Sequence, residues 1–348
     1  MPHPGPIVLL SSGETSASGR RVYEWLFRRL PGPIRMAVLE TPAGFQPNSA
    51  AVAAKVASFV QHHLQNYAPQ VAVIPARKRG TPFSPDDPEI VTPLLEANVI
   101  YMGAGSPTYA VRTLRDSLAW HTLLARHRLG AAIVLASAGA IAASKLCLPV
   151  YEIYKAGEDL HWAPGLDLFG AYGLSLVLMS HWDNTEGGAE LDTSRGFVGK
   201  ARFEQLRAML PPDTRLLGLD EHTAMVLDLA VQTCQVMGRS GMCLCYGGEE
   251  RRFEHGQSFP ISTLGPFRVP EFQEGIPADV CERALAAQIG TPGNREPQPP
   301  AEVLTLVQER EAARSRRDWA TADALRQRIA ALGWQVRDTA SGPAENPV

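Results

Sequence analysis

The sequence predicts an α/β protein: a mostly parallel sheet flanked by helices, with an antiparallel β edge and a small helical hairpin at the C-terminus. Three observations carry this expectation. Up to Leu146, short apolar runs alternate with longer amphipathic stretches, and such alternation implies parallel strands covered on both faces. Beyond Arg215 the runs become short and β-rich. A Pro/Gly-rich stretch at 290–300 then precedes two helical patterns.

Taken in order, Ile7–Leu10 reads as a strand and residues 11–15 as its exit loop. Arg20–Leu30 has helical spacing (Val22, Leu26, Leu30) and stops at Pro31-Gly32. Met36–Leu39 is a strand, Ala50–His63 a helix, Val71–Ile74 a strand and Pro88–Ala97 a helix. Val99–Met102 is the next strand, Tyr109–Arg126 one long helix, Ala131–Leu135 a strand and Ala138–Leu146 a helix. The runs Leu216–Leu219, Ala224–Leu229, Thr233–Met237 and Cys243–Tyr246 read as hairpins forming an antiparallel edge. The domains expected are 1–290, a linker at 291–300 holding four prolines, and 301–348 with helices Glu302–Arg314 and Trp319–Leu332. Trp319, Leu325, Ile329, Leu332 and Trp334 would form one apolar face of that hairpin.

Composition narrows the function classes. Hydrophobic residues at 45% and charged residues at 20% suit a globular chain with a full core. A net charge of −3 gives no global field to gather nucleic acid or anionic membrane. No apolar run reaches the roughly 18 residues of a membrane span, and the first residues lack a signal-peptide pattern, so a cytoplasmic protein is expected. Five cysteines, an odd number in a long chain, argue against a disulfide framework. Cys243 and Cys245 form C-x-C without the second ligand pair of a structural zinc site. Strand alternation accounts for them, and no metal or cofactor is expected.

In open parallel sheets the site lies at the carboxyl ends of the strands. Residues 131–140 (AAIVLASAGA) run a buried strand into Ser137 and then a helix. A sharp strand-to-helix turn pushes its apex side chain out and aims the following N–H groups, starting with Ala138, at the same space. Gly139 meets the need for small residues there, and the helix N-terminus favours an oxyanion. The plainer reading is that Ser137 caps an ordinary βα connection. Residues 102–107 (MGAGSP) form a second strand-exit loop with glycines, where an N–H at Gly105 could complete an oxyanion hole. His181, directly after the apolar run Leu174–Met179 and Ser180, is the candidate general base. His161 and His222 compete for that role, since both sit beside acids in loops.

These pieces resemble a known family. Gly13-Glu14, residues 103–114 (GAGSPTYAVRTL), Ser137 to Ala140, the strand-end His181 and residues 218–227 (GLDEHTAMVL) are similar to cyanophycinases and dipeptidase E, serine peptidases with the class I glutamine amidotransferase-like fold. The resemblance spans residues 5–265. It implies Ser137 as nucleophile and His181 as base, with the acid between them at Glu152 or Glu158. Asn184, Glu186, Asp220 and Glu221 are the candidate substrate-binding residues; for Asp220 and Glu221 a polar β-turn is the competing reading. Two departures stand out. The family has glycine two residues before the serine where this chain has Leu135, which would alter the elbow or narrow the pocket. Its arginine-rich run after the histidine is replaced by residues 182–188 (WDNTEGG), so the family's substrates do not transfer directly.

The tail resembles a different family. Residues 306–342 look like the C-terminal helical segment of cysteinyl-tRNA synthetase, without a synthetase catalytic core. From Pro299 on, seven acids balance seven arginines, which weakens a nucleic-acid reading, while clustered Arg314, Arg316 and Arg317 support it. Two functions are therefore expected to compete. One is a serine hydrolase cleaving a peptide or amide bond through an acyl-enzyme on Ser137. The other is a catalytically inactive scaffold for tRNA, peptide or protein acting through the C-terminal helices. The partners to consider are a peptide or amide substrate, a second copy of the chain, and tRNA; a membrane is not among them.

Overall fold

A computed structural model describes residues 3–290, 301–316, 318–339 and 342–347. The chain divides into two compact units, Met1–Gly290 and Thr291–Val348, and each is described by itself. The linker read at 291–300 lies outside the described residues.

The first unit opens with β1 (Ile7–Leu10), α1 (Ala17–Phe27), β2 (Arg35–Leu39), α2 (Ser49–His63), β3 (Gln70–Ile74), α3 (Pro88–Glu96) and β4 (Val99–Met102). It continues through α4 (Pro107–Leu114), α5 (Leu118–Arg128), β5 (Ala132–Ala136), α6 (Ala138–Ala142), β6 (Leu146–Cys147), α7 (Val150–Tyr154), β7 (Ala163–Pro164) and β8 (Leu176–Met179). Then come α8 (Lys200–Ala208), β9 (Arg215–Leu219), β10 (Thr223–Asp228), β11 (Thr233–Gly238), β12 (Gly241–Tyr246), β13 (Glu249–Glu254), β14 (Ser258–Pro260) and α9 (Ala278–Gly290).

The strands build an eight-stranded sheet in the order β14-β11-β10-β1-β5-β4-β2-β3. Its β1-β5-β4-β2-β3 part is parallel, and β10, β11 and β14 add the antiparallel edge. The parallel strands β1, β4 and β5 are buried along their whole length, as strands covered on both faces must be. Alternate residues of β5 feed two different cores: Ile133 and Leu135 pack with Leu9, Ile100 and Met102, while Val134 and Ala136 pack with Val8, Leu10 and Tyr101. Leu135 is thus a fully buried core residue; it is not among the residues that line the cavity beside Ser137, so the narrowing expected of it is not seen there.

Several elements differ from the sequence expectation. The strand before His181 is not in the large sheet; β8 belongs to a second sheet, β13-β12-β9-β8, in which β8 and β9 are parallel. The long helix expected over 109–126 is two helices. Asp116 turns to φ 56° and Ser117 caps α5 through the Trp120 N–H, so local side-chain capping wins over helical periodicity. α1 starts earlier than its apolar spacing suggests because Ser16 caps it. α6 is only five residues long, too short for its dipole to matter as expected.

The second unit contains α10 (Ala301–Ser315) and α11 (Trp319–Ala331), followed by an unanticipated antiparallel pair, β15 (Trp334–Thr339) and β16 (Gly342–Pro347). Its core joins Val303, Leu306 and Val307 of α10 to Leu325, Ile329, Trp334 and Val336. Trp319 and Leu332, expected on the apolar face, are exposed. Among the described residues no helix is long and apolar enough to cross a membrane.

Candidate active site

Ser137 follows β5 directly, and its backbone is bent to φ 47°, ψ −113°. For a non-glycine residue this conformation costs on the order of 1–3 kcal/mol. The surroundings over-determine it. The Ser137 N–H donates to Leu10 O at 2.9 Å and the Gly139 N–H to Gly103 O at 3.0 Å. A Cβ on Gly139 would lie 2.3 Å from Met102 O, so the elbow closes only with glycine there. The result aims the Ser137 hydroxyl into a cavity of about 450 Å³.

The hydroxyl lies 2.9 Å from His181 Nε2, and His181 Nδ1 lies 2.9 Å from Glu221 Oε1. A carboxylate only accepts, so Nδ1 carries the proton and donates to Glu221, leaving Nε2 to accept from Ser137. The hydrogen bond from His181, reinforced by one from Asn184 Nδ2 at 2.8 Å, holds the Glu221 carboxyl down to about 2 against the opposing effect of burial. Phe197 packs on the imidazole with ring centroids 5.1 Å apart.

The exit loop of β1 ties the pieces together. Ser11 Oγ donates to Leu219 O and accepts from the His181 N–H at 2.7 Å. Ser12 Oγ accepts from the His222 N–H at 3.0 Å. Asp183 Oδ1 accepts from the Glu221 N–H at 2.7 Å. Neither Ser11, Ser12 nor Asp183 was singled out in the sequence; their signal was only their position at strand ends.

The acid expected on the base is not where the sequence suggested. Glu152, on α7, accepts from Thr108 Oγ1, and its Oε2 is buried without a partner. Glu158 is half-exposed and sits 3.8 Å from His161 Nε2. Neither approaches His181, because α7 and the loop after it pack beside the cavity rather than behind the imidazole. Glu221, expected as a substrate contact, takes that place.

Two other expected substrate contacts are also structural in position. Asp220 is buried, paired with Arg252 and accepting from Ser240 Oγ at 2.7 Å. Asn184 is buried, donating to Glu221 and accepting from the Glu186 N–H at 3.1 Å. Glu186, Gly105 and Ala138 do line the cavity, with Tyr151, Tyr154, Lys155 and Phe197. Ala138 opens α6, so its N–H has no partner within the helix. Gly105 is held at φ 147°, and a Cβ there would meet Pro42 O at 2.0 Å. Of the rival histidines, His161 is half-buried and hydrogen-bonded to Asp159 O. His222, at φ 56°, turns its buried Nδ1 against Gly13.

Comparison with known proteins separates the two units. The fold of the chain matches a peptidase crystal structure from an acI-B1 Actinobacterium with TM-score 0.59 and 20% identity, over 74% of this chain and 97% of that one. Residues 296–342 match the family described as the cysteinyl-tRNA ligase anticodon binding domain. The chain is 54% identical over 44 residues to the cysteine–tRNA ligase of Methanosarcina mazei, covering 13% of this chain and 9% of that protein. It is 46% identical over 82 residues to the cysteine–tRNA ligase of Chlamydia caviae, covering 24% of this chain and 17% of that protein. The chain thus spans under a fifth of the length of these ligases. An α/β fold like that of the peptidase structure is thus combined with residues 296–342 that are similar to the cysteinyl-tRNA ligase anticodon binding domain.

Proposed function

We propose that the chain is a serine hydrolase of the cyanophycinase and dipeptidase E kind, cleaving a peptide or amide bond through an acyl-enzyme on Ser137. The carrying observation is the relay Ser137 Oγ, His181 Nε2, His181 Nδ1, Glu221 Oε1, with two contacts of 2.9 Å. Each part has a chemical task. Ser137 Oγ attacks the carbonyl carbon while His181 Nε2 takes its proton, and Glu221 stabilises the imidazolium that forms. The Ala138 and Gly105 N–H groups receive the charge that develops on the carbonyl oxygen. The C–N bond breaks as His181 returns the proton to the leaving amine. A water, deprotonated by the same imidazole, then releases the acyl group.

A cavity of about 450 Å³ suits a short peptide or a small amide. Tyr151, Tyr154 and Phe197 supply apolar walls, and Lys155 and Glu186 offer one charge of each sign. A substrate carrying both an anionic and a cationic group fits that lining.

The test is covalent labelling. A fluorophosphonate probe should attach to full-length protein at Ser137, located by peptide mass spectrometry, and the label should vanish in Ser137→Ala and fall sharply in His181→Ala. An unlabelled wild-type chain would remove the hydrolase reading.

A second reading concerns the tail alone and is favoured by the match of residues 296–342 to an anticodon-binding domain. In it the C-terminal unit contacts tRNA. Binding of labelled tRNA to the full chain, absent from residues 1–290, tests it.

A further inference from the structure

The strand pair β12 and β13 brings together three soft or anionic donors far from any role in the relay. We propose that Cys243, Cys245 and Glu250 form a binding site for a thiophilic divalent cation of the Zn²⁺ type. The C-x-C spacing puts both thiols on one face of β12, because side chains alternate along a strand. The third donor is invisible to spacing, since it comes from the neighbouring strand: Glu250 stands directly opposite Cys245 in the antiparallel register. Its Oε2 lies 3.8 Å from Cys243 Sγ, and all three donor atoms lie within 4.8 Å of one another. Among the described residues this is the one such group of three.

The dimensions fit a tetrahedral ion. Metal–sulfur and metal–oxygen bonds of about 2.3 and 2.1 Å set neighbouring donors about 3.6–3.8 Å apart. The present spread therefore needs closure by about 1 Å at most, which side-chain rotation supplies without moving the strands. Arg207 Nη1 holds the other carboxylate oxygen, Oε1, at 3.3 Å, which leaves Oε2 turned to the thiols as an outer-shell partner does for a metal ligand. Arg207 also pairs with Glu204 at 2.8 Å, so its charge is shared between two carboxylates, and two thiolates beside Glu250 leave a net negative cluster that a divalent cation offsets. Arg252 is committed elsewhere, to Asp220 and Glu254. Cys245 borders a surface cleft with Leu216, Tyr246 and Gly247, so a water has a path to a fourth position.

The site is structural in location. Gly218 pairs with Cys243 in the β9–β12 register, and the Trp182 ring packs on Gly218. A bound ion would therefore pin β12 and β13 behind the segment that carries the base, without touching the reacting atoms.

The experiment is a Cd²⁺ titration of reduced, chelator-treated full-length protein, followed by the ultraviolet charge-transfer absorption of cadmium thiolates. The expected result is saturation at one equivalent, displacement by Zn²⁺, and loss of the band in Cys243→Ser and in Cys245→Ser. Glu250→Gln, at an exposed position that cannot unfold the core, should keep the band and weaken binding by about tenfold or more. A wild-type protein without the band, a band unchanged in the double serine variant, or an unaltered affinity in Glu250→Gln would each overturn the site. Fluorophosphonate labelling of the same samples is read separately, so loss of the hydrolase reading leaves this one standing.

Discussion

His181 and Glu221, forty residues apart in the chain, meet at 2.9 Å because each lies two residues beyond the end of one strand of a single parallel pair. Met179 and Gly218 are register partners, so β8 and β9 release their chains at the same edge. There the Ser11 hydroxyl holds both exits. His181 and Glu221 are thus positioned by one sheet, and Ser137 by the other.

That arrangement predicts which glutamate matters. Glu221→Gln should lower kcat by about 10²–10⁴-fold, since it removes the charge and the tautomer control behind the imidazole. Glu152→Gln and Glu158→Gln should leave turnover near wild type. A larger loss in Glu152→Gln than in Glu221→Gln would reverse the assignment of the acid.

Ser137→Ala should abolish hydrolysis, by about 10³-fold or more, while the protein melts as before. Gly139→Ala should do the opposite first: its new Cβ has no room beside Met102 O, and crowding of this kind costs about 1–3 kcal/mol. Denaturant unfolding of the two variants beside wild type separates lost chemistry from a lost elbow.

The pH dependence follows from the depressed Glu221 carboxyl. Its folded value of about 2 lies below the ordinary 4.5, so its stabilising contribution is complete above 4.5 and is lost as pH falls toward 2. The stability gap between wild type and Glu221→Gln, measured by denaturant melts from pH 7 down to pH 3, should narrow below pH 4.5. Because Glu221 stays ionised through the acid range of an activity profile, its titration should not appear in the acid limb of kcat/KM above pH 4.5. An ionisation there that disappears in Glu221→Gln would contradict this.

The two charges of the cavity should split substrate preference. Lys155→Met should raise KM for substrates with a carboxylate near the scissile bond, and Glu186→Gln should raise it for those with a free amine. Both should act by roughly tenfold, the scale of one charge-assisted hydrogen bond. Kinetics on matched charged and neutral amides would show it; an equal effect on both classes would mean the residues only shape the cavity.

For the tail, residues 1–290 alone should keep fluorophosphonate labelling while losing any tRNA affinity of the full chain. If tRNA binds, changing Arg316 or Arg326, both exposed, should weaken it and lower the salt dependence by about one ion each. A truncated chain that folds but no longer labels would mean the second unit contributes to catalysis.

Much of this architecture is readable from the sequence, and the unreadable part has physical causes. The elbow at Ser137 is local: a buried apolar run, a small-residue turn and a helix all appear within ten residues. His181 is visible because it ends an apolar run. Glu221 as the partner of His181 is not, because chain order does not say which strand ends meet. That depended on β8 leaving the large sheet to pair with β9, a choice made by packing rather than by pattern. The break at Asp116 was hidden for a similar reason: helical periodicity continues through it, and only Ser117 as a cap marks the interruption. In the tail, α10 supplies Val303 and Val307 to the core in place of Trp319 and Leu332, since the strands after Gly333 change which face is covered.

The positive φ of Ser137 also works as a filter on evolutionary change. A side chain branched at Cβ is strongly disfavoured at φ 47°, so threonine, though it carries the same hydroxyl, is shut out by shape before its reactivity can be tried. Cysteine, unbranched and nearly isosteric, passes. Under the proposed hydrolase reading, an oxygen or a sulfur nucleophile fits the same elbow, whereas a threonine nucleophile would require the turn itself to be rebuilt.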